Sequence, residues 1–199
     1  MRIGIVGAGA VGSAIAAVLA RAGIEATIVN RRGVGSLAVL LAGLAPHLTA
    51  GTREDVLGAD IVFVAVPWMR LGDAIGGVSD WGGRIVVDCN NALEGPSFKP
   101  VELNGLTSSE AFAQMVPGAR VVKAFNHMLP HLLAGDPRAE GGRRAMFMAG
   151  DEPAAKVEIG KIIDAIGGYR IDLGGLREGG RLMQFPGGPL PALNFVLFD

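Results

Sequence analysis

Met1-Arg2-Ile3-Gly4-Ile5-Val6-Gly7-Ala8-Gly9-Ala10-Val11-Gly12 opens the chain. A short apolar run, residues 2–6, leads straight into G-x-G-x-x-G and then into an Ala-, Val-, Ile- and Leu-rich stretch, residues 11–21, that reads as a helix. A glycine-rich chain produces that spacing by chance, so the reading rests on context: a strand before the glycines and a helix after them. In that setting Gly7 permits a tight turn, Gly9 lets backbone approach a pyrophosphate, and Gly12 lets the helix pack closely on the strand. Ala8, Ala10 and Val11 complete a loop whose helix-start amides bind phosphate.

Outward from this loop, short β-branched runs alternate with Ala/Leu-rich stretches, the pattern of a parallel sheet covered on both faces. Strands are expected at 25–30, 48–50, 60–66, 84–88 and 120–125, with helices near 35–44, 69–75 and 107–115 and a helical turn begun by Thr52 or Asp55. Ile61-Val62-Phe63-Val64-Ala65-Val66, apolar throughout and stopped by Pro67, suits a central strand buried on both faces. Thr107 and Glu110 stand at capping-box spacing. Residues 91–106 and 127–142 read as loops, 144–149 and 169–173 as strands, 153–166 as a helix opened by Asp151, and 177–185 as helical. The fold expected is α/β: a Rossmann-type doubly wound, mostly parallel sheet with a small C-terminal α/β extension. No linker divides it, so residues 1–199 read as one domain, 1–126 forming the nucleotide-binding sheet and 127–199 completing the site.

The composition agrees. Half of the 199 residues are hydrophobic and 19% are charged, enough for a packed core. The net charge of −1 provides no basic excess for nucleic acid. No stretch approaches a membrane span, and the N-terminal apolar run is too short for a signal peptide, so a cytoplasmic protein is expected. The one cysteine, Cys89, cannot form an internal disulfide or a cysteine cluster and reads as a buried filler. No metal site is expected: Asp136 near His127 and His131 sits among prolines that indicate a plain loop. The apolar tail after Pro186, with Leu190, Leu193, Phe195, Val196, Leu197 and Phe198, is expected to pack on its own sheet or on a second subunit, making a homodimer.

The end of the second strand selects the nucleotide. An NAD enzyme carries Asp or Glu there to accept from the ribose 2′-OH. This chain has Ile28-Val29-Asn30-Arg31-Arg32 instead, a neutral amide and two guanidiniums. A carboxylate repels a 2′-phosphate; Arg binds it with charge-assisted bonds. NADP(H) is therefore expected.

In an open parallel sheet the ligand lies at the carboxyl ends of the strands. Val66, Pro67 and Trp68 could flank the nicotinamide, or Trp68 could belong to the core. Asn90 and Asn126 could hydrogen-bond its amide or a ribose, or shape turns. Phe125 and His127 follow the sixth strand; His127 could donate a proton or simply form a wall, with His131 a lesser candidate. Asp88 reads as fixing the loop after its strand.

These features together, and above all Val121-Val122-Lys123-Ala124-Phe125-Asn126 with the late Ile171-Asp172-Leu173-Gly174-Gly175-Leu176, resemble the coenzyme F420-dependent NADP oxidoreductase family across nearly the whole chain. The cytosolic domain of the Steap-type metalloreductases is similar. The resemblance implies a homodimeric Rossmann protein in which residues 7–12 hold the pyrophosphate and Asn30, Arg31 and Arg32 hold the 2′-phosphate. Val66, Pro67, Trp68, Phe125, Asn126 and His127 then border the nicotinamide, and hydride passes to coenzyme F420 or a related small acceptor. That transfer needs alignment more than a general acid. Many bacterial members of the family carry a D-x-T-N-P-like segment after the fifth strand where this chain has Asp88-Cys89-Asn90-Asn91-Ala92, so the residues shaping the second-substrate pocket are expected to differ. Two alternatives stand: a carbonyl or imine reductase, which needs a longer helical C-terminal domain, and a non-catalytic NADP(H)-binding redox sensor.

Overall fold

A computed structural model of the chain describes residues 1–138 and 141–198; residues 139 and 140 of the expected loop and the final residue of the tail lie outside the described residues. The first half alternates strand and helix: β1 (Ile3–Val6), α1 (Ala10–Arg21), β2 (Ala26–Val29), α2 (Ala38–Leu44), β3 (Leu48–Ala50), α3 (Arg53–Leu57), β4 (Ile61–Val64), α4 (Leu71–Ile75) and β5 (Ile85–Asp88). A two-residue-per-strand hairpin, β6 (Leu93–Glu94) and β7 (Lys99–Pro100), precedes α5 (Ser108–Gln114) and β8 (Arg120–Ala124). The extension comprises α6 (Pro130–Ala134), β9 (Arg143–Gly150), α7 (Pro153–Ala165), β10 (Tyr169–Asp172), α8 (Glu178–Met183) and β11 (Val196–Leu197).

Among the described residues the main sheet runs β10-β9-β8-β5-β4-β1-β2-β3. From β3 to β8 all neighbours are parallel, and the order of those strands is that of a dinucleotide-binding fold. β9 reverses direction against β8, and β10 runs parallel to β9, so the sheet is mostly parallel and Rossmann-type. β4 lies at its centre with Ile61, Val62, Phe63 and Val64 fully buried. Each such side chain contributes about 1.5–3 kcal/mol of transfer free energy, which is why a wholly apolar strand occupies this position. α1 buries Ala14, Ile15, Ala16, Val18 and Leu19 against one face of the sheet. Trp81, Phe112 and the even-numbered side chains of β4 form the core on the other face.

Both capping boxes form: Thr52 with Asp55 opens α3, and Thr107 with Glu110 opens α5. Three local expectations are corrected. The loop at 91–106 contains the β6–β7 hairpin, whose strands are too short to show alternation. The loop at 127–142 contains α6, where Pro130 occupies the first turn, the one helical place that tolerates it. α7 is preceded by Glu152 at the N-cap, while Asp151 accepts from the Leu176 amide at 2.9 Å and anchors a later loop. The tail, expected to pack on its own sheet or on a second subunit, does add a strand to the sheet: β11 runs antiparallel to the start of β9, beyond the reach of β8. No helix among the described residues is long and apolar enough to cross a membrane.

Candidate functional site

β1 ends at Val6, and Gly7 turns the chain with φ +102°, a conformation that favours glycine. Its amide donates to Val29 O at 2.8 Å, tying the turn to the end of β2. The three motif glycines have different neighbours. A Cβ at Gly7 would strike the carbonyl of Ala65, and one at Gly12 would strike the carbonyl of Gly7; one at Gly9 would meet nothing within 4 Å. Gly7 and Gly12 therefore serve close packing, and Gly9 faces open space. Gly9 is also the N-cap of α1, with no side-chain cap and no acid in the first turn, so the positive end of a 12-residue helix is presented to that space.

The space is a cavity of about 500 Å³ at the point where the strand order reverses between β1 and β4. Its walls come from the glycine loop, Val29 to Arg32, Ala65 to Pro67, and Arg53, Arg70, Asp73 and Ala74. Asn30 closes the turn after β2: its Oδ1 accepts from the Arg32 amide at 3.0 Å and its Nδ2 donates to Ser36 Oγ at 2.8 Å. Arg31 and Arg32 are exposed at the cavity's edge. Arg53 and Arg70 also line the cavity, and neither was foreseen; nothing in the linear sequence sets them apart.

The ends of β5 and β8 differ in character. Asp88 and Lys123 form a fully buried ion pair at 2.9 Å. Asp88 Oδ1 accepts from both the amide and the Nδ2 of Asn90, as expected of a loop-fixing carboxylate, and Oδ2 also accepts from Ser109 Oγ at 3.1 Å. Lys123 donates further to Asn90 O at 2.8 Å. Asn90 Oδ1 accepts from the Val66 amide at 3.0 Å, so Asn90 braces the cavity wall and has both side-chain atoms engaged. Asn126 pairs with Asn91 across the two strand ends and donates to Met183 O at 2.7 Å, holding α8 in place.

Three expected site residues lie in the core. Trp68 packs with Val6, Val64 and Leu71, because the turn after Pro67 rotates it away from the cavity that Pro67 lines. Phe125, at φ +65°, packs on Phe63 with ring centroids 5.9 Å apart. His127 is 2% exposed; its Nε2 accepts weakly from the Phe147 amide at 3.4 Å, and its Nδ1 has no partner. Burial, aided by the Lys123 charge, pushes its pKa down to about 3. His127 is thus neutral and enclosed, and it is not among the residues that line the cavity. His131 is exposed on α6. Cys89 is buried, and desolvation raises its thiol well above the usual range, in keeping with a filler.

Residues 2–92 match the family model described as NADP oxidoreductase, coenzyme F420-dependent. A candidate F420-dependent NADP reductase from Arthrobacter sp. FB24 is 31% identical, with TM-score 0.74 over 88% of this chain and 86% of its own. The chain belongs to this family. A hypothetical protein from Sinorhizobium meliloti is 42% identical with TM-score 0.93, over 99% of this chain and 96% of its own. A reductive aminase from Aspergillus terreus, solved with NADPH4, cyclohexanone and allyl amine, shares the fold at 20% identity and TM-score 0.64, this chain spanning 56% of its length. No curated protein matches the sequence.

As a member of this NADP-dependent oxidoreductase family, the chain carries the glycine loop and the basic strand end inside the matched region. The Lys123, Asn126 and His127 cluster lies beyond it. Lys123 was within the stretch that carried the resemblance but went unnoticed as a buried cation. Its partner Asp88 is 35 residues away in sequence, and the contact arises only through the β5–β8 register.

Proposed function

We propose that the chain binds NADP(H) in this cavity and transfers hydride between the nicotinamide and a flavin-like acceptor, coenzyme F420 or a close relative. The observation that carries the nucleotide half is the end of β2, where Arg31 and Arg32 stand at the cavity edge in place of a carboxylate. Gly7, Gly9 and the uncapped start of α1 would hold the pyrophosphate, and Arg31 and Arg32 the 2′-phosphate; Ala8, Ala10 and Val11 supply the loop around them. When bound, the cofactor supplies or accepts a hydride at nicotinamide C4. The chain's own part is alignment and exclusion of water: Val66 and Pro67 form an apolar wall, held in place by the Asn90 brace.

The acceptor half is supported by where the proton-bearing groups stand. Carbonyl and imine reduction require a proton as well as a hydride. His127 is neutral and enclosed, and Asn90 and the Nδ2 of Asn126 are bound to neighbouring groups. Hydride exchange with a deazaflavin also takes up one proton, but at a ring nitrogen that can draw it from solvent, so it asks less of the protein, and this site offers alignment rather than acid. We also propose that residues 127–199 belong to the same domain as residues 1–126. The hydrogen bonds from Asn126 to Met183, Ser108 to Gln184 and Ala192 to His127 favour this. Two copies would then cover the exposed apolar tail, where Leu193 and Phe198 are 51% and 67% exposed.

The test is NADPH oxidation followed with F420, FMN and a panel of carbonyl and imine compounds. Reduction of F420, with carbonyls and imines inert, is expected. Turnover of a carbonyl or imine with F420 inert would overturn the acceptor assignment, and tight NADPH binding without turnover of any acceptor would make the protein a sensor.

A further inference from the structure

β2 and β3 are parallel neighbours, with Ile28 opposite Ala50, so the turns that follow them emerge on the same edge of the sheet. The first carries Arg31 and Arg32. The second carries Arg53, the first residue of α3, which lines the same cavity. Arg53 is half-buried and braced: its Nε donates to Ala74 O at 3.1 Å and a terminal nitrogen donates to Gly76 O, both at the end of α4. Arg70, also at the cavity, is paired with Asp73 at 3.2 Å. Arg53 forms no ion pair with any carboxylate among the described residues.

A partly desolvated guanidinium is stabilised by an anion, and two carbonyl oxygens offset only part of its charge. Its forked hydrogen bonds to α4 also fix the side chain before any ligand arrives, which lowers the ordering cost of binding. Arg31 and Arg32, exposed on a turn, have no such brace.

We propose that Arg53 is a specificity-determining residue: a fixed cation that grips the 2′-phosphate of the nucleotide from the turn next to the one that carries Arg31 and Arg32. The inference rests on the NADP(H) reading and goes further, because it places part of the discrimination in a rigid residue of α3. It also accounts for an arginine at the start of a helix, where the dipole favours acids such as the neighbouring Glu54 and Asp55.

The experiment is equilibrium binding of NADPH and NADH to the full chain and to Arg53→Gln and Arg53→Lys, with thermal midpoints recorded for each. The unaltered chain is expected to prefer NADPH. Arg53→Gln should weaken NADPH roughly 10- to 100-fold, the worth of one charge-assisted contact, and NADH less than about threefold. That penalty should shrink below about pH 6, where the phosphate monoester loses its second charge. Arg53→Lys, which keeps the charge but not the fork, should lose about 3- to 10-fold for NADPH alone, and decides the matter if the Gln variant does not fold. Weakening of both nucleotides equally, or of neither, would show that Arg53 only braces α4 and would overturn the proposal while leaving NADP(H) binding intact. No preference for NADPH in the unaltered chain would overturn the reading on which it rests.

Discussion

The strand ends of the first half and those of the second half are built to opposite plans. After β1, β2 and β4 the chain leaves a helix terminus uncapped, a glycine facing open space and guanidiniums at a cavity edge. After β5 and β8 polar groups are equally abundant, but they are turned inward: an ion pair, an Asn–Asn pair and a neutral histidine. The first plan leaves hydrogen-bonding capacity for a ligand; the second uses most of it to hold the sheet and the extension together, with Asn126 Oδ1 and His127 Nδ1 left unpartnered. Polar residues at strand ends thus fall into two kinds, those exposed at the cavity and those buried between elements.

The contrast breaks most visibly at Gly9. Gly9→Val should fold normally, because its side chain enters open space, yet abolish nucleotide binding. Gly12→Val should instead destabilise the chain by clashing with the Gly7 carbonyl. Thermal melts beside nucleotide titrations check both; retained NADPH binding by Gly9→Val would mean the loop does not face the pyrophosphate. In the second half, Lys123→Met leaves the Asp88 carboxyl without its cation in the core, and should cost about 3–5 kcal/mol in denaturant unfolding. A loss under about 1 kcal/mol would show that solvent reaches the pair.

Smaller effects sharpen the comparison. Arg31→Ala or Arg32→Ala should each cost about 1.5–3 kcal/mol of NADPH affinity with little change in stability. His127 provides a pH test. Its pKa is about 3 in the folded chain against an ordinary value of 6.5, so below 6.5 the unfolded chain binds the extra proton first. Stability contributed by the neutral ring is complete above pH 6.5 and is lost as pH falls from there towards 3. His127→Gln should flatten that slope in pH-dependent unfolding while leaving the pH profile of hydride transfer unchanged. A limb near neutral pH in turnover that His127→Gln removes would restore a proton-transfer role.

What could be read from the sequence follows the range of the interactions. The glycine loop, β4 and the acid-free end of β2 are encoded within a dozen residues each, and all stand where expected. Thr107 and Glu110 were legible for the same reason, three residues apart. His127 was not, because its burial depends on Phe147 and on Phe195 beyond it, brought together by β9 and the tail. Trp68 depended on which way one turn rotates after Pro67. Arg53 gained its place at the cavity from α4, more than twenty residues later. Local pattern located the cradle, while long-range packing decided which of the polar candidates could reach it.

The central claim is that the crevice between β1 and β4 is built for a nucleotide bearing a 2′-phosphate. Equilibrium binding of NADPH and NADH to the unaltered chain, at low and at high salt, tests it most directly. The account predicts NADPH favoured by roughly 100-fold or more at low salt, the worth of two charge-assisted contacts, with the margin narrowing as salt screens the arginines. Equal affinities for the two nucleotides at low salt would contradict it.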